Sequence, residues 1–330
     1  MSKFKTFRVN QSENIIKGSI EELSFDDLDA GDVVIDVQYS SVNYKDALAA
    51  TGAGQIIRKF PRVGGIDLAG IVRSSEDPSF KAGDEVLATS YGIGVDHDGG
   101  YSPVARIPSK WVIPIPFGMT IYESMCLGTA GLTAGMAVSR IESVGVTIES
   151  GPVVVTGATG GVGSIAIDIL SKRGYKVSAI SGKESEKEYL LRLGASEVIN
   201  RHELDLKNKR PLNQEKWAAG IDNLGGDVLS LVTSEMRWGG ALAVIGLAAS
   251  ANFNTTVLPF ILRNINVLGI DSVQAPLGYR KKIWNLLATK YKPKNIDQTV
   301  TVIKLGDLPV VFDQMINGKI RGRYVVQMSE

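Results

Sequence analysis

The sequence predicts an α/β protein in two parts, an all-β, barrel-like domain and a doubly wound parallel sheet. Two observations carry this prediction. The first is the stretch Gly151-Pro-Val-Val-Val-Thr-Gly-Ala-Thr-Gly-Gly-Val-Gly163. Residues 153–155 are a short β-branched run, as a strand buried on both faces requires. Gly157, Gly160, Gly161 and Gly163 then crowd into a tight turn, and behind it Val162, Ile165, Ala166, Ile169 and Leu170 recur at helical spacing. The second is a change of texture near residue 121. Before it lie short β-rich runs at 4–9, 33–42, 66–72 and 85–88, punctuated by Gly, Asp and Pro as in a small barrel. After it strands and helices alternate, the mark of a parallel sheet with crossovers.

The elements follow in order. Pro103, Pro108, Pro114 and Pro116 suggest a path over the surface between strands. Strands fit at 152–156, 175–180, 196–199, 219–223, 241–246 and 266–271, with the plainest helices at 184–193 and 226–237. Beyond them 277–291 reads as a helix, 299–305 as a strand, 308–317 as a helix and 324–328 as a strand. This tail is expected to return to the first domain. At 330 residues the chain is too long for one core. The expected division is 1–122, 123–264 and 265–330, the middle part being an insertion in the first domain.

Composition excludes several classes. A hydrophobic content of 44% and a charged share of 22% describe an ordinary soluble protein, expected in the cytoplasm. A net charge of +1 gives no broad basic face for nucleic acid or an anionic membrane. No apolar run reaches the roughly 18–20 residues that span a bilayer, and Met-Ser-Lys-Phe-Lys has no signal-peptide core. The single cysteine, Cys126, excludes an internal disulfide and a multi-cysteine zinc lobe. His97, in a Gly/Asp-rich loop, and His202, in a charged stretch, read as solvated loop residues rather than ligands, so no metal is expected.

Strand, glycine turn and helix together read as a dinucleotide site. Glycines let the backbone approach a pyrophosphate, and the helix N-terminus offers unpaired N–H groups to its charge. A fold of this kind that prefers NAD places a carboxylate at the end of the second strand. Here that strand ends in Ser181-Gly182-Lys183. Ser181 can donate to a 2′-phosphate, Lys183 can neutralise it, and Arg201 after the third strand can add a planar fork. The alternative for Lys183 and Arg201 is a pair of solvated surface charges. NADPH is the expected cofactor.

Several segments carry a family resemblance. Asn43-Tyr44-Lys45-Asp46, Gly64-Gly65-Ile66-Asp67-Leu68-Ala69-Gly70, Gly83-Asp84-Glu85-Val86 and Gly128-Thr129-Ala130-Gly131-Leu132-Thr133-Ala134 resemble motifs of the medium-chain dehydrogenase/reductase superfamily, in its zinc-free quinone oxidoreductase branch. Gly64 stands where Pro is usual. Pro259-Phe260-Ile261-Leu262-Arg263-Asn264, Gly269-Ile270-Asp271-Ser272 and Gly322-Arg323 are similar to the YhdH/YhfP type, which includes acrylyl-CoA reductases. The resemblance implies a GroES-like β-barrel catalytic domain and a Rossmann nucleotide-binding domain. The zinc-holding branch has a Cys near position 43 and a Gly-His-Glu segment near 65–67. This chain has Asn43 and Gly65-Ile66-Asp67.

The resemblance also implies site residues. Ala158, Thr159, Gly160, Gly161, Val162 and Gly163 would cradle the pyrophosphate, with Ser181, Gly182, Lys183 and Arg201 at the 2′-phosphate. Leu247, Ile261 and Ser272 would lie toward the nicotinamide half, although the segment around Ile261 reads equally as helix core, and Asn317 and Arg323 would be further cofactor contacts on the returning tail. Tyr44 would face the nicotinamide end, where its hydroxyl can bond the cofactor or the substrate carbonyl or relay a proton; a packing tyrosine is the alternative. Asn43 can donate an amide N–H to the same carbonyl. Asp67 reads as structural, a carboxylate that caps backbone N–H groups, and Lys45 and Asp46 as local turn charges. The strand around Val267 would pair across a two-fold axis in a homodimer.

The implied activity is transfer of hydride from NADPH to a carbonyl-conjugated double bond. Charge arriving at the β-carbon spreads onto the carbonyl oxygen, so no strong Lewis acid is needed. An acrylyl-CoA-type 2-enoyl thioester is the first substrate class, other enones being related acceptors. Small quinones follow the same acceptor logic, and an NADPH-binding sensor without turnover is a third reading. Arg58, Lys59 and Arg62 can line a groove for CoA phosphates, or be solvated charges.

Overall fold

The computed structural model describes residues 3–13, 15–207 and 210–328. In chain order the strands are β1 (Phe4–Ser12), β2 (Ile15–Leu23), β3 (Val33–Val42), β4 (Arg62–Val63), β5 (Asp67–Ser75), β6 (Glu85–Thr89), β7 (Val104–Ile107), β8 (Val112–Pro114), β9 (Val153–Thr156), β10 (Val177–Ser181), β11 (Glu197–Asn200), β12 (Trp217–Asp222), β13 (Met236–Val244), β14 (Asn266–Gly269), β15 (Val300–Ile303) and β16 (Arg323–Gln327). The helices are α1 (Tyr44–Thr51), α2 (Ile121–Ser143), α3 (Gly161–Lys172), α4 (Lys187–Arg192), α5 (Gly226–Ser234), α6 (Leu258–Arg263), α7 (Leu277–Ala288) and α8 (Leu308–Ile316).

Two units result. The first holds Met1–Ala130, Val273–Ala288 and Val300–Glu330; the second holds Gly131–Ser272 and Thr289–Thr299. These limits differ from the division at 122/123 and 264/265 read from the sequence. β14 completes the second unit's sheet beyond residue 264, and 289–299 leaves the returning tail for the second unit.

In the first unit a three-stranded sheet runs β2-β1-β4. A second sheet runs β15-β16-β3-β5-β6-β8, with β7 also paired to β3. The long strand β3 is its hub, antiparallel to β16, β5 and β7. One core cluster gathers Phe7, Val42, Tyr101, Leu308 and Phe312 with Ala47 and Ala50, whose small side chains let α1 pack against α8. β2 has no counterpart in the sequence reading because its alternation is mostly polar. It is held there by its pairing with β1 and by Gly18, where a Cβ would collide with the Phe7 ring. The proline-rich stretch is more than a surface path: β7 and β8 lie within it, and Pro114 sits on β8 at the end of its sheet, where a missing N–H is tolerated.

The second unit is a six-stranded sheet in the order β11-β10-β9-β12-β13-β14, every pair parallel. All four residues of β9 and all six of β12 are buried, as central strands covered on both faces must be. The order reverses beside β9, which sets the switch point where such sheets bind ligands. The α/β reading, GroES-like plus Rossmann, is the architecture found. Helix 226–237 is shorter than the pattern suggests: it stops at Ser234, and Met236 already belongs to β13.

α3 is buried beyond its apolar stripe. Ile165, Ala166, Ile169 and Leu170 are essentially inaccessible, but so is Asp168, 2% exposed. Its carboxylate accepts from the backbone N–H groups of Lys294 (3.0 Å) and Asn295 (2.7 Å) and from Asn295 Nδ2 (3.3 Å), which fastens 289–299 to the unit. Burial pushes the Asp168 carboxyl up, and these bonds pull the other way. Replacing Asp168 by Ala removes three bonds to a charged acceptor. The expected loss is about 3 kcal/mol of unfolding free energy, read from the urea midpoint at unchanged slope.

Candidate functional site

In the first unit a buried carboxylate organises the polar residues around the start of α1. Asp67 has no exposed surface. Its Oδ2 accepts from Ser41 Oγ (2.6 Å), Asn43 Nδ2 (2.8 Å) and Thr129 N–H (2.8 Å), and its Oδ1 from Thr129 Oγ1 (2.5 Å). Arg323 is 3% exposed. Its Nη2 donates to Ser41 Oγ (2.8 Å), Nη1 to Val42 O (3.0 Å) and Asn43 Oδ1 (3.3 Å), and Nε to Cys126 O (3.2 Å). Ser41 and Asn43 therefore bridge a carboxylate and a guanidinium, each accepting from one and donating to the other. α2 breaks at Gly128 (φ 51°, ψ −153°) to pass this point. A Cβ there would stand within 3.0 Å of Ser41 Oγ, Asp67 Oδ2 and Arg323 Nη2, so the position admits only glycine.

The Asn43-Tyr44-Lys45-Asp46 segment is the N-terminus of α1, not a bare turn. Asn43 is its N-cap residue, and Asp46, also buried, accepts from the backbone N–H groups of Asn43 (2.8 Å) and Ile66 (2.9 Å). Burial, with the Asp67 charge close by, pushes the Asp46 carboxyl up to about 7, against those two bonds. The Tyr101 phenol is pushed up as well, chiefly by burial and then by Asp46.

The residues expected here fall into two groups. Tyr44 is 47% exposed, and no hydrogen bond of its hydroxyl is found among the described residues. Asn43 is not an open donor: its amide is engaged by Asp67 and Arg323. Arg323, expected from the resemblance as a cofactor contact on the returning tail, has its guanidinium enclosed by four protein oxygens, because a buried cation needs acceptors. Asn317 is exposed, and its amide turns back on its own helix to Asp313 O (2.9 Å). Of the basic trio, Arg58 and Lys59 are exposed, whereas Arg62 is buried and paired with Asp29 and, at 3.2 Å, Asp98. His97 is no solvated loop residue: its ring bonds Asp98 O and Ala30 O, both at 3.0 Å.

In the second unit the glycine turn lies between β9 and α3. Gly157 has φ 59°, and a Cβ at Gly163 would stand 2.6 Å from Gly157 O and 2.8 Å from Ala158 Cα, so both positions need glycine. Ser164, wholly buried, ties the turn down: it donates to Ala158 O (3.3 Å) and accepts from the Tyr189 hydroxyl (2.9 Å). Ala158 and Thr159 are buried, Gly160 is exposed, and Gly161 and Val162 are half-buried. Ser164 N–H makes the bond to Gly160 O (2.9 Å), leaving the N–H groups of Gly161, Val162 and Gly163 without acceptors inside the helix. This is the donor set an anion requires.

At the neighbouring strand tips Ser181 Oγ accepts from Lys183 N–H (3.0 Å) and keeps its own proton to donate. Desolvation pulls the Lys183 ammonium down, with Glu186 acting oppositely. Arg201 Nη2 and His202 Nε2 both lie 3.1 Å from where a Cβ of Gly182 would stand. His202 is exposed, as the sequence reading expects, and its ring is at the strand tips, directly after Arg201 in the chain. Leu247 and Ile261 are 67% and 68% exposed. Ser272 is 8% exposed and accepts from Thr133 Oγ1 (2.8 Å).

Residues 29–117 match the family model of the alcohol dehydrogenase GroES-like domain, and 161–289 that of zinc-binding dehydrogenase. The chain is 44% identical over 321 residues to the probable acrylyl-CoA reductase AcuI of Escherichia coli K12, covering 97% of this chain and 98% of that protein. The chain belongs to the medium-chain dehydrogenase/reductase superfamily. Within that superfamily it is also 40% identical over 329 residues to the putative quinone oxidoreductase YhfP of Bacillus subtilis 168, covering 98% and 99% of the two proteins. The crystal structure of YhfP with NAD bound matches with a TM-score of 0.96, over 99% of this chain and 100% of that one. The YhdH oxidoreductase of Salmonella enterica, in complex with NADP, matches with a TM-score of 0.96 and 44% identity, over 98% and 100%.

Zinc, which one family model carries in its description, does not fit the residues present. Asn43 and Ile66 supply no thiolate or imidazole where the zinc-holding branch has them. Asp67, the remaining candidate ligand, is enclosed by Ser41, Asn43 and Thr129.

Asp46 gives a pH signature. Its carboxyl titrates at about 7 in the fold against 3.8 ordinarily, so in that window the folded state holds the extra proton. Its contribution therefore makes stability fall as pH rises from about 4 to about 7, and then level off. Asp46→Asn is expected to flatten that part of the profile, measured as melting temperature against pH for both proteins.

Proposed function

We propose that the chain is a cytoplasmic, homodimeric, zinc-independent NADPH-dependent reductase of carbonyl-conjugated double bonds, acting on an acrylyl-CoA-type 2-enoyl thioester. The observation that carries the cofactor reading is the basic strand tip: Ser181, Lys183 and Arg201 gather around Gly182, where an NAD-preferring site would place a carboxylate. The NADP complex of the Salmonella relative supports it. Bound NADPH supplies hydride from the nicotinamide C4. The glycine turn offers the pyrophosphate the N–H groups of Gly161, Val162 and Gly163, and Ser181, Lys183 and Arg201 hold the 2′-phosphate. Leu247 and Ile261 offer exposed apolar surface toward the nicotinamide half, with Ser272 and Asn317 as further cofactor contacts.

Tyr44 is the hydroxyl for the substrate carbonyl oxygen. It donates as negative charge gathers there, and the α-carbon then takes its proton from Tyr44 or from water. Asn43 acts one step back, holding the N-terminus of α1 and hence Tyr44 on the Asp67–Arg323 bridge. The thioester substrate is favoured by the likeness to AcuI and by exposed Arg58 and Lys59, which suit CoA phosphates. The likeness to YhfP favours a second reading, a reductase of small quinones at the same residues. The dimer reading draws on β14 at the end of its sheet, with Val267 40% exposed and Trp238 69% exposed. No helix among the described residues is long and apolar enough to cross a membrane.

Two measurements test this. Lys183→Glu combined with Arg201→Ala removes two charge-assisted partners of a 2′-phosphate and is expected to weaken NADPH binding roughly a hundredfold or more while sparing NADH. Equal losses for both cofactors would refute the assignment. Steady-state oxidation of NADPH with acryloyl-CoA, beside a simple benzoquinone, is expected to give the larger kcat/KM for the thioester; preference for the quinone selects the second reading.

A further inference from the structure

The register of β10 on β11 pairs Ser181 with Asn200. Beyond that last pair the chain turns, with Gly182 and Lys183 following one strand and the turn Arg201–Glu203 the other. The Arg201 guanidinium and the His202 imidazole converge on Gly182, each with a nitrogen 3.1 Å from the place a Cβ would take, so that a Cβ there would press on both. The turn Arg201–Glu203 is fixed from below, because Asn200 Oδ1 accepts from His202 N–H at 3.0 Å. The ring is thereby delivered to the strand tips while the residue stays exposed. The charged groups around it are Lys183 and Arg201, Glu186 acting on Lys183, and Glu203, whose carboxylate accepts from Asn200 Nδ2 at 3.2 Å. Two cations and a ring that can carry a third charge thus surround one glycine.

We propose that His202 is a specificity-determining residue, the third member with Lys183 and Arg201 of the cradle for the cofactor's 2′-phosphate. The inference rests on the NADPH reading given above. A ring N–H donates a hydrogen bond to a phosphate oxygen, and no covalent bond changes. NAD lacks the phosphate, so the ring should add to the affinity for NADP⁺ and leave that for NAD⁺ as it is.

The test is isothermal titration of the protein with NADP⁺ and with NAD⁺, for the unaltered chain and for His202→Ala. The expected result is a preference for NADP⁺ over NAD⁺ about tenfold smaller in His202→Ala, with NAD⁺ affinity the same in both. An unchanged preference in His202→Ala would overturn the role of His202, as would an equal loss of NAD⁺ and NADP⁺ affinity. A failure of the underlying cofactor reading looks different: the unaltered chain would bind NADP⁺ no more tightly than NAD⁺.

Discussion

The first unit depends on a buried carboxylate and a buried guanidinium held together through two small polar side chains. Asp67 opens β5, Arg323 opens β16, Ser41 lies near the end of β3, and Asn43 caps α1; the break in α2 at Gly128 lets the chain pass the same point. Removing two such charges from water costs several kcal/mol each, and only a complete set of partners offsets it. Here each oxygen of Asp67 is occupied and Arg323 meets four acceptors. Such a knot is a positioning device. It holds the cap residue of α1, Asn43, from two strands at once, and with it the backbone that carries the exposed Tyr44 ring.

The second unit divides its work differently. Backbone groups do the general part, since the free N–H groups at the start of α3 suit any pyrophosphate. In the proposed reading, side chains at the tips of β10 and β11 do the discriminating part. Gly182 is the hinge of that arrangement, because its missing Cβ lets groups from the adjacent strand reach across. One relative of the same fold is solved with NAD bound and another with NADP, so the fold itself accommodates both cofactors.

Much of the fold was legible from the sequence because its strongest signals are local. The β-branched run of β9 and the glycines after it announce themselves without tertiary context, and so does the alternation of strand and helix that follows. What escaped depends on distant partners. β2 is polar and becomes a strand through β1 and the ring of Phe7 over Gly18. α1 starts with a segment that looks like a turn until Asp46 is seen closing on Asn43 and Ile66. Arg62 and Arg323 look like surface cations in one dimension, yet both are buried, each by carboxylates or carbonyls brought from far along the chain.

The anchoring of 289–299 by Asp168 bears on how such proteins can be recombined. Each unit is assembled from separate stretches of the chain, so neither can be excised or exchanged as one continuous block of gene. A crossover that moved 131–272 alone would set a foreign α3 against the resident 289–299 segment. Two of the three bonds Asp168 makes there are to main-chain N–H groups, which every residue except proline offers. The junction is therefore largely blind to side-chain identity, and chimeras between relatives that keep an aspartate at 168 retain the clasp even where the segment itself has diverged.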